Sequence, residues 1–306
     1  MYNPIAISLG FIDIRWYGLL IGTGAFMGLL LAIIEGRRFK LPADFFMDIV
    51  LIGLPTAVLC ARVYYVLFNL KDYHSLGDML SIWHGGIAIH GALIGALIGG
   101  GAVIVRNGYN FWRVADICAP SLIIGQIIGR WGNFMNQEAY GSAVSESFLR
   151  DQLHLPNWIV AQMNIGGVFH HPTFLYEMLW NIIGIIVLFI IRRTNWIRAG
   201  ELLLIYFGWY SLGRFYVEGF RTDSLTVTLP NSVATFFNWL WSPLNGMFEA
   251  GALPDGNVRM AQLISMIILI VVITLIVVRR KTMNLPKYSD PVVSSKVEAK
   301  KSGMTV

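Results

Sequence analysis

The chain has 306 residues, of which 56% are hydrophobic and only 13% charged, with a mean hydropathy of +0.60. That balance excludes a soluble globular domain, which carries about 25% charged residues, and defines an integral membrane protein. The net charge of +5 would suggest a polyanion partner only if it gathered on one face, and it does not.

A helix needs about 20 apolar residues to cross a bilayer. Seven segments meet that need, near 16–35, 46–68, 87–106, 114–129, 174–192, 200–217 and 259–279. The expected fold is therefore an all-α polytopic membrane bundle over residues 1–281, followed by a polar, lysine-rich and disordered tail, 282–306. Basic residues follow alternate spans: Arg37, Arg38 and Lys40, then Arg106 and Arg113, then Arg192, Arg193 and Arg198, then Arg279, Arg280 and Lys281. By the positive-inside rule the N-terminus is expected outside and the C-terminus inside. The loops 69–86, 130–173 and 218–258 then face outward as a small extracytoplasmic cap, with Trp239, Trp241 and Phe248 suited to the membrane interface. The basic charge is topological, and no nucleic-acid partner is expected. The first span has neither a basic leader nor a small-residue cleavage site, so it is expected to be retained. Cys60 and Cys118 fall inside apolar segments, where small buried hydrophobes are expected and not a disulfide or a metal site.

Polar residues at membrane depth are costly, about 2.5 to 3.5 kcal/mol for a charge on insertion scales, and so mark sites. In chain order, the first span opens with Trp16 and Tyr17, which interface anchoring explains by itself. The third begins WHGGIAIHGALIGALIGGG, where Gly91, Gly95 and Gly99 form a stripe for close helix contact. His90 starts that stripe and is expected to face the bundle interior. It is either a satisfied structural donor or a general base, and spacing alone leaves both open. After the fourth span comes GRWGNFMNQEAYG, which places Arg130, Asn133, Asn136 and Glu138 among small residues ending in Gly141. The segment HPTFLYE, with Pro172 at a helix start and Tyr176 and Glu177 one turn in, ranks second, because helix capping accounts for most of it. The sixth span closes with Arg214, Glu218 and Arg221 at i, i+4 and i+7, on one helical face. With Arg130 these make three arginines that lack matching acids in the sequence, so an anion is expected among them.

These residues resemble a known family. GRWGNFMNQEAYG is similar to the signature G-R-x-G-N-F-x-N-x-E-x-x-G of the bacterial prolipoprotein diacylglyceryl transferases, and RWYG, WHGGIAIHGALIG, HPTFLYE and GRFYVEGFRTDSL follow in family order. The resemblance covers nearly the whole chain. It implies an enzyme of the bacterial plasma membrane, with its active face toward the outer leaflet, that moves the diacylglyceryl group of phosphatidylglycerol onto the lipobox cysteine of a prolipoprotein. A thioether forms and glycerol phosphate is released, in the first step of lipoprotein maturation. Carried over position by position, it implies His90, Arg130 and Arg214 as catalytic. It further implies Arg130, Asn133, Asn136, Glu138, Gly141, Tyr17, Glu218 and Arg221 as substrate-binding. The partners implied are phosphatidylglycerol, the prolipoprotein signal peptide and membrane lipid. Ala92 and Phe174 depart from the family pattern, which often has glycine and glutamine there.

The chemistry of the residues agrees with that implication. The peptide brings its own nucleophile, a thiol of pKa about 8.5 that must lose its proton to attack. The enzyme then needs a base and cations for the departing phosphate, with no cofactor and no metal. No metal-ligand spacing and no G-x-S-x-G elbow occurs. A transporter for lipids or small anions would also use intramembrane arginines, but it predicts internal symmetry and sites near the midplane. No inverted repeat is visible, and the polar groups gather on the outer side.

Overall fold

The computed structural model describes residues 5–10, 13–73, 75–81, 85–244, 253 and 256–296. In chain order the elements are β1 (Ile5–Ser8) and β2 (Asp13–Arg15), then α1 (Trp16–Arg38), α2 (Ala43–Phe68), α3 (Leu76–Leu80), α4 (Ile89–Arg106) and α5 (Phe111–Asn136). Next come β3 (Ala143–Val144), α6 (Asn157–Gln162), β4 (Asn164–Ile165), β5 (Val168–His170), α7 (Thr173–Ile191) and α8 (Glu201–Glu218). The chain continues with β6 (Thr226–Thr228), α9 (Asn231–Trp241), β7 (Asn257–Arg259) and α10 (Met260–Thr282). Among the described residues six helices are long and apolar enough to cross a membrane: α1, α2, α4, α5, α7 and α10. This is a multi-pass all-α membrane protein. The seventh expected span, α8, forms as an 18-residue helix but is not among the six. It carries Glu201, Arg214 and Glu218, which dilute its hydropathy.

Two compact units divide the chain: residues 1–28 with 119–287, and residues 29–118 with 288–306. In the second unit α4 lies against α2 through the glycine stripe. A Cβ on Gly91 would stand 2.3 Å from the Cys60 carbonyl oxygen, on Gly95 2.3 Å from that of Thr56, and on Gly99 2.1 Å from the Thr56 hydroxyl. Only glycine permits that approach, as the sequence pattern implied. Arg62 of α2 is buried, and its guanidinium donates to the carbonyls of Asp78, Met79, Gly85 and Gly86 at 2.6–2.9 Å. It ties α2 to the end of α3 and to the Gly85–Gly86 turn. Gly85 and Gly86 take φ of 85° and 77°, backbone that a side chain would strain.

The tail corrects an expectation. Disorder was expected from residue 282, yet residues 288–295 pack onto the second unit. Tyr288 is 2% exposed and donates to Glu35 at 2.8 Å, Arg113 donates to the Asp290 carbonyl, and Ser294 donates to Asn107 O at 2.7 Å. Composition read the segment as polar, but Tyr288 supplies an apolar body with a satisfied hydroxyl, which favours burial. Phe248, Trp83 and the lysines beyond 296 lie outside the described residues.

In the first unit α1 crosses α5 through Gly24 and Gly28, whose added Cβ atoms would reach Gly125 O at 3.3 Å and Ser121 O at 3.1 Å. α7 and α8 are joined by a reciprocal exchange. Trp180 Nε1 donates to Trp209 O at 2.9 Å, Trp209 Nε1 donates to Trp180 O at 3.0 Å, and the rings stack at 4.4 Å. Each indole lies over a glycine of the opposite helix, Trp180 on Gly213 and Trp209 on Gly184. The pair satisfies both buried N–H groups while fixing the register of the helices. α10 joins α8 through Gln262, which donates to Phe215 O at 3.1 Å, and Arg280, which pairs with Glu201 at 2.6 Å.

Residues 137–172 form a small lobe with its own core. Its sheet runs β3-β5-β4 and is antiparallel throughout, and Leu149, Ile159, Val160 and Met163 pack under it with Phe134 and Phe174. Phe174, which departs from the family pattern, is thus an apolar core residue. β6 and β7 pair antiparallel, and α9, which lies between them in sequence, packs Ala234 and Phe237 with Phe215 and Val258.

Candidate active site

The signature segment is not a loop. α5 continues to Asn136, one turn and more past the expected end of the span, so Arg130 and Asn133 project from a helix and the loop begins only at Gln137. Hydropathy ended the span early because these residues are polar, although the backbone ladder is unbroken. Tyr17 lies on this turn: a Cβ on Gly132 would stand 2.8 Å from its ring. Beyond the helix the chain is strained, with Gln137 and Ala139 at φ of 53° and 57°. Left-handed non-glycine residues cost of order 1–3 kcal/mol each and cluster where function needs a fixed geometry. Between them Glu138 is exposed, accepts from Asn136 Nδ2 at 2.8 Å, and has its own N–H bound to Asn133 O at 2.9 Å.

The arginines have acidic partners, which corrects the expectation that they are unmatched. Arg130 Nη2 pairs with Glu177 Oε2 at 2.6 Å, and Arg214 Nη1 reaches Glu177 Oε1 at 3.2 Å, so one carboxylate bridges α5 and α8 from α7. Arg214 also pairs with Glu218 at 2.6 Å, one helical turn along. Asn133 Oδ1 accepts from Arg130 at 3.3 Å. Glu177, ranked second on sequence grounds, is therefore central. Its side chain is 7% exposed, while those of Arg130 and Arg214 keep 18% and 19%, so the cations retain an open side that the acid lacks.

Arg221 departs from expectation in another way. α8 stops at Glu218, so the i+7 relation fails and Arg221 sits in the following turn, 3.9 Å from Glu218. Gly219 ends the helix under Trp241, whose indole leaves no room for a Cβ. The main partner of Arg221 is Asp223, which takes two bonds at 2.8 and 2.6 Å. Those bonds hold the Asp223 carboxyl below its usual range and, against burial, raise the guanidinium pKa. Arg221 forms an isolated antiparallel bridge with Gly141, while Gly141 N–H donates to His171 O at 3.0 Å. A Cβ on Gly141 would stand 2.5 Å from that of His171. This crossing of three segments requires glycine on packing grounds alone.

Two further residues join the neighbourhood without having been singled out. Arg259 of β7 is buried, which lowers its pKa, and the charge of Glu218 acts in the opposite direction. His171 is 2% exposed and shares a 3.0 Å hydrogen bond with the Tyr176 hydroxyl. Burial, with a smaller push from His170, lowers its pKa to about 4, so it is neutral at physiological pH. Arg130, Arg214, Arg221 and Arg259 thus face Glu177, Glu218 and Asp223, leaving one positive charge over. His90 belongs to the other unit. It is exposed at the start of α4, its ring stacked on Tyr64 at 5.9 Å. The stripe it was expected to share buries Gly91 and not the histidine.

A shared arginine–carboxylate cluster at the helix ends of a multi-pass membrane protein can hold an anionic group. Residues 4–278 match the prolipoprotein diacylglyceryl transferase family, and the chain belongs to it. It is similar to the phosphatidylglycerol–prolipoprotein diacylglyceryl transferase of Bacillus licheniformis, 47% identical over 91% of this chain and 93% of that protein. Proteins of the same name from Bacillus velezensis and Bacillus cereus are 46% and 47% identical, each over 91% of this chain, and cover 92% and 93% of the respective relatives.

Proposed function

We propose that the chain transfers the diacylglyceryl group of phosphatidylglycerol to the lipobox cysteine of prolipoproteins, at the outer leaflet of a bacterial plasma membrane. The observation that carries this reading is the carboxylate of Glu177 shared by Arg130 and Arg214. Both guanidiniums keep donors free on their open side, where a phosphodiester can take a bidentate bond. The cysteine thiolate attacks the diacylglyceryl carbon bonded to the phosphate oxygen. A sulfur–carbon bond forms as that carbon–oxygen bond breaks, and glycerol phosphate leaves with the electron pair. Arg130 and Arg214 stabilise the charge that develops on the leaving phosphate, an electrostatic effect worth about 10²- to 10³-fold per donor. Glu218 and Arg221 hold Arg214 and the adjoining turn. Asn133, Asn136 and Glu138 offer donors and acceptors to the glycerol hydroxyls, with Tyr17 packed behind them on Gly132. His90 takes the thiol proton, a role for which a neutral imidazole is the natural base.

The test is direct. The purified protein, given phosphatidylglycerol labelled in an acyl chain and a lipobox peptide, should yield a thioether-linked diacylglyceryl peptide with glycerol phosphate in equal amount. Label on the peptide without glycerol phosphate, or no transfer at all, would overturn the reading. For His90, replacement by Gln should cost about 10²- to 10⁴-fold at neutral pH, and the deficit should shrink as pH nears the thiol's own pKa. A deficit that holds constant into alkaline pH removes His90 as the base.

A further inference from the structure

Beside the charged cluster, α7 and α8 enclose an apolar cleft of about 440 Å³, within the range of about 300–1,000 Å³ found for ligand sites. Tyr176 and Trp180 line it from α7, and Gly213, Tyr216 and Val217 from α8, with Phe220 just beyond. Pro243 and Leu244 form its outer wall. Its lining alternates in sequence with the cluster: Tyr176 precedes Glu177, Gly213 precedes Arg214, Val217 precedes Glu218, and Phe220 precedes Arg221. Consecutive helical residues point about 100° apart, so an oily groove and a cationic groove run side by side along the same helices.

We infer that this cleft holds one fatty acyl chain of the phospholipid whose phosphate rests on Arg130 and Arg214, and that Leu244 and Tyr216 set the chain length accepted. The inference rests on the donor reading given above. Charge argues for a lipid over the other apolar substrate. The cluster carries one positive charge over its acids, and a phospholipid brings an anion joined to its hydrocarbon and satisfies both grooves at once, whereas the apolar stretch of a signal peptide is uncharged and leaves the cationic groove unfilled. Gly213 lets the Trp180 indole lie flush on α8 beside the cleft, since a Cβ there would stand 2.3 Å from Trp180. Outside the two main helices, its wall among the described residues is Phe220 together with Pro243 and Leu244 of the turn that follows α9.

The experiment compares phosphatidylglycerols of 12-, 14-, 16- and 18-carbon chains as donors for the full-length protein in vesicles. Leu244→Trp, which fills the cleft, should lower the rate with the longest chain relative to the shortest by about tenfold, the usual discrimination of an apolar pocket for size. Tyr216→Ala, which enlarges it, should shift the preference the opposite way. Inhibition by glycerol phosphate should not change in either variant. A uniform loss across chain lengths, an unchanged profile, or a raised KM for the lipobox peptide with no change in lipid profile would overturn the inference. Independently of any variant, phosphatidylglycerol with a diazirine at the end of one acyl chain should label Tyr176, Trp180 or Leu244 in the unsubstituted protein. Label confined to apolar faces outside the cleft would also overturn it. Transfer activity in the unsubstituted protein with no length effect sinks this inference alone, whereas absence of transfer sinks the donor reading.

Discussion

Arg62 and the Arg130–Arg214 pair are two answers to the same problem, an arginine buried in a membrane protein. Arg62 is 4% exposed and gives its guanidinium to four backbone carbonyls. Arg130 and Arg214 keep nearly a fifth of their surface and lean on a side-chain acid that they share. Carbonyls fixed by the loop fold saturate an arginine and make it part of the scaffold. A shared carboxylate leaves each cation with unspent donors, and that is the arrangement of a site.

The strongest way to break the comparison is through the fork. Arg130→Lys keeps the charge but loses the bidentate geometry, and turnover should fall by about 10²- to 10³-fold at unchanged abundance. Glu177→Gln leaves both arginines without their common acid, and turnover should fall by more than accumulation does. Equal losses in both measurements would place the pair with Arg62 as scaffold.

For Arg62 the outcome is reversed. Arg62→Ala strands carbonyls around the loop after α3 and should lower stability by about 2 to 3 kcal/mol, read as a drop in thermal midpoint, while activity per folded molecule stays within about threefold of the unsubstituted protein, less than the loss of one catalytic donor would cause. A full-length, stable and inactive Arg62→Ala would overturn the distinction.

A third test loosens the frame of the cluster without touching an arginine. His171 has its folded pKa lowered from 6.5 to about 4, so as pH falls the unfolded chain takes up the proton first. Stability is full above pH 6.5 and is lost between there and pH 4, at about 1.4 kcal/mol per pH unit. His171→Gln should flatten that window in thermal melts, and an acid slope identical to that of the unsubstituted protein would assign the loss elsewhere. The smallest effect belongs to Asp223→Asn. Half of the Asp223 side chain is exposed, so its ion pair with Arg221 is worth less than about 1 kcal/mol, and melts and turnover should change only slightly.

Most spans were legible because hydropathy is a local property: the starts and ends of α2, α4, α7 and α10 lie within a few residues of the apolar runs. What failed was whatever depends on partners distant in sequence or on the backbone itself. Glu177 is one turn into an apolar helix and 37 residues from Arg214, so nothing near it announces a cation. Arg62 lies in a continuous apolar run and is satisfied by carbonyls, which every residue possesses and no pattern can single out. Arg221 fits a helical face on paper, but Gly219 under Trp241 ends α8 first. The tail misled because its polar letters outnumber the one tyrosine that anchors it. The signature gathers Arg130, Asn133, Asn136 and Glu138, polar groups where lipid should exclude them, with Gly141, while Tyr17, His90, Arg214, Glu218 and Arg221 stand in other segments.

The shared acid also sets an order of assembly. Arg130 leaves the ribosome at the end of α5, before Glu177 has been made, and Arg214 follows a helix later still. A new chain must therefore lodge its first arginine without a counter-ion, at the end of a helix, where a long side chain can reach water while it waits. When α7 enters, its carboxylate recruits Arg130, and α8 then closes on a half-formed pair. The three helices thus assemble around one carboxylate, and a copy lacking α7 would leave Arg130 without its counter-ion.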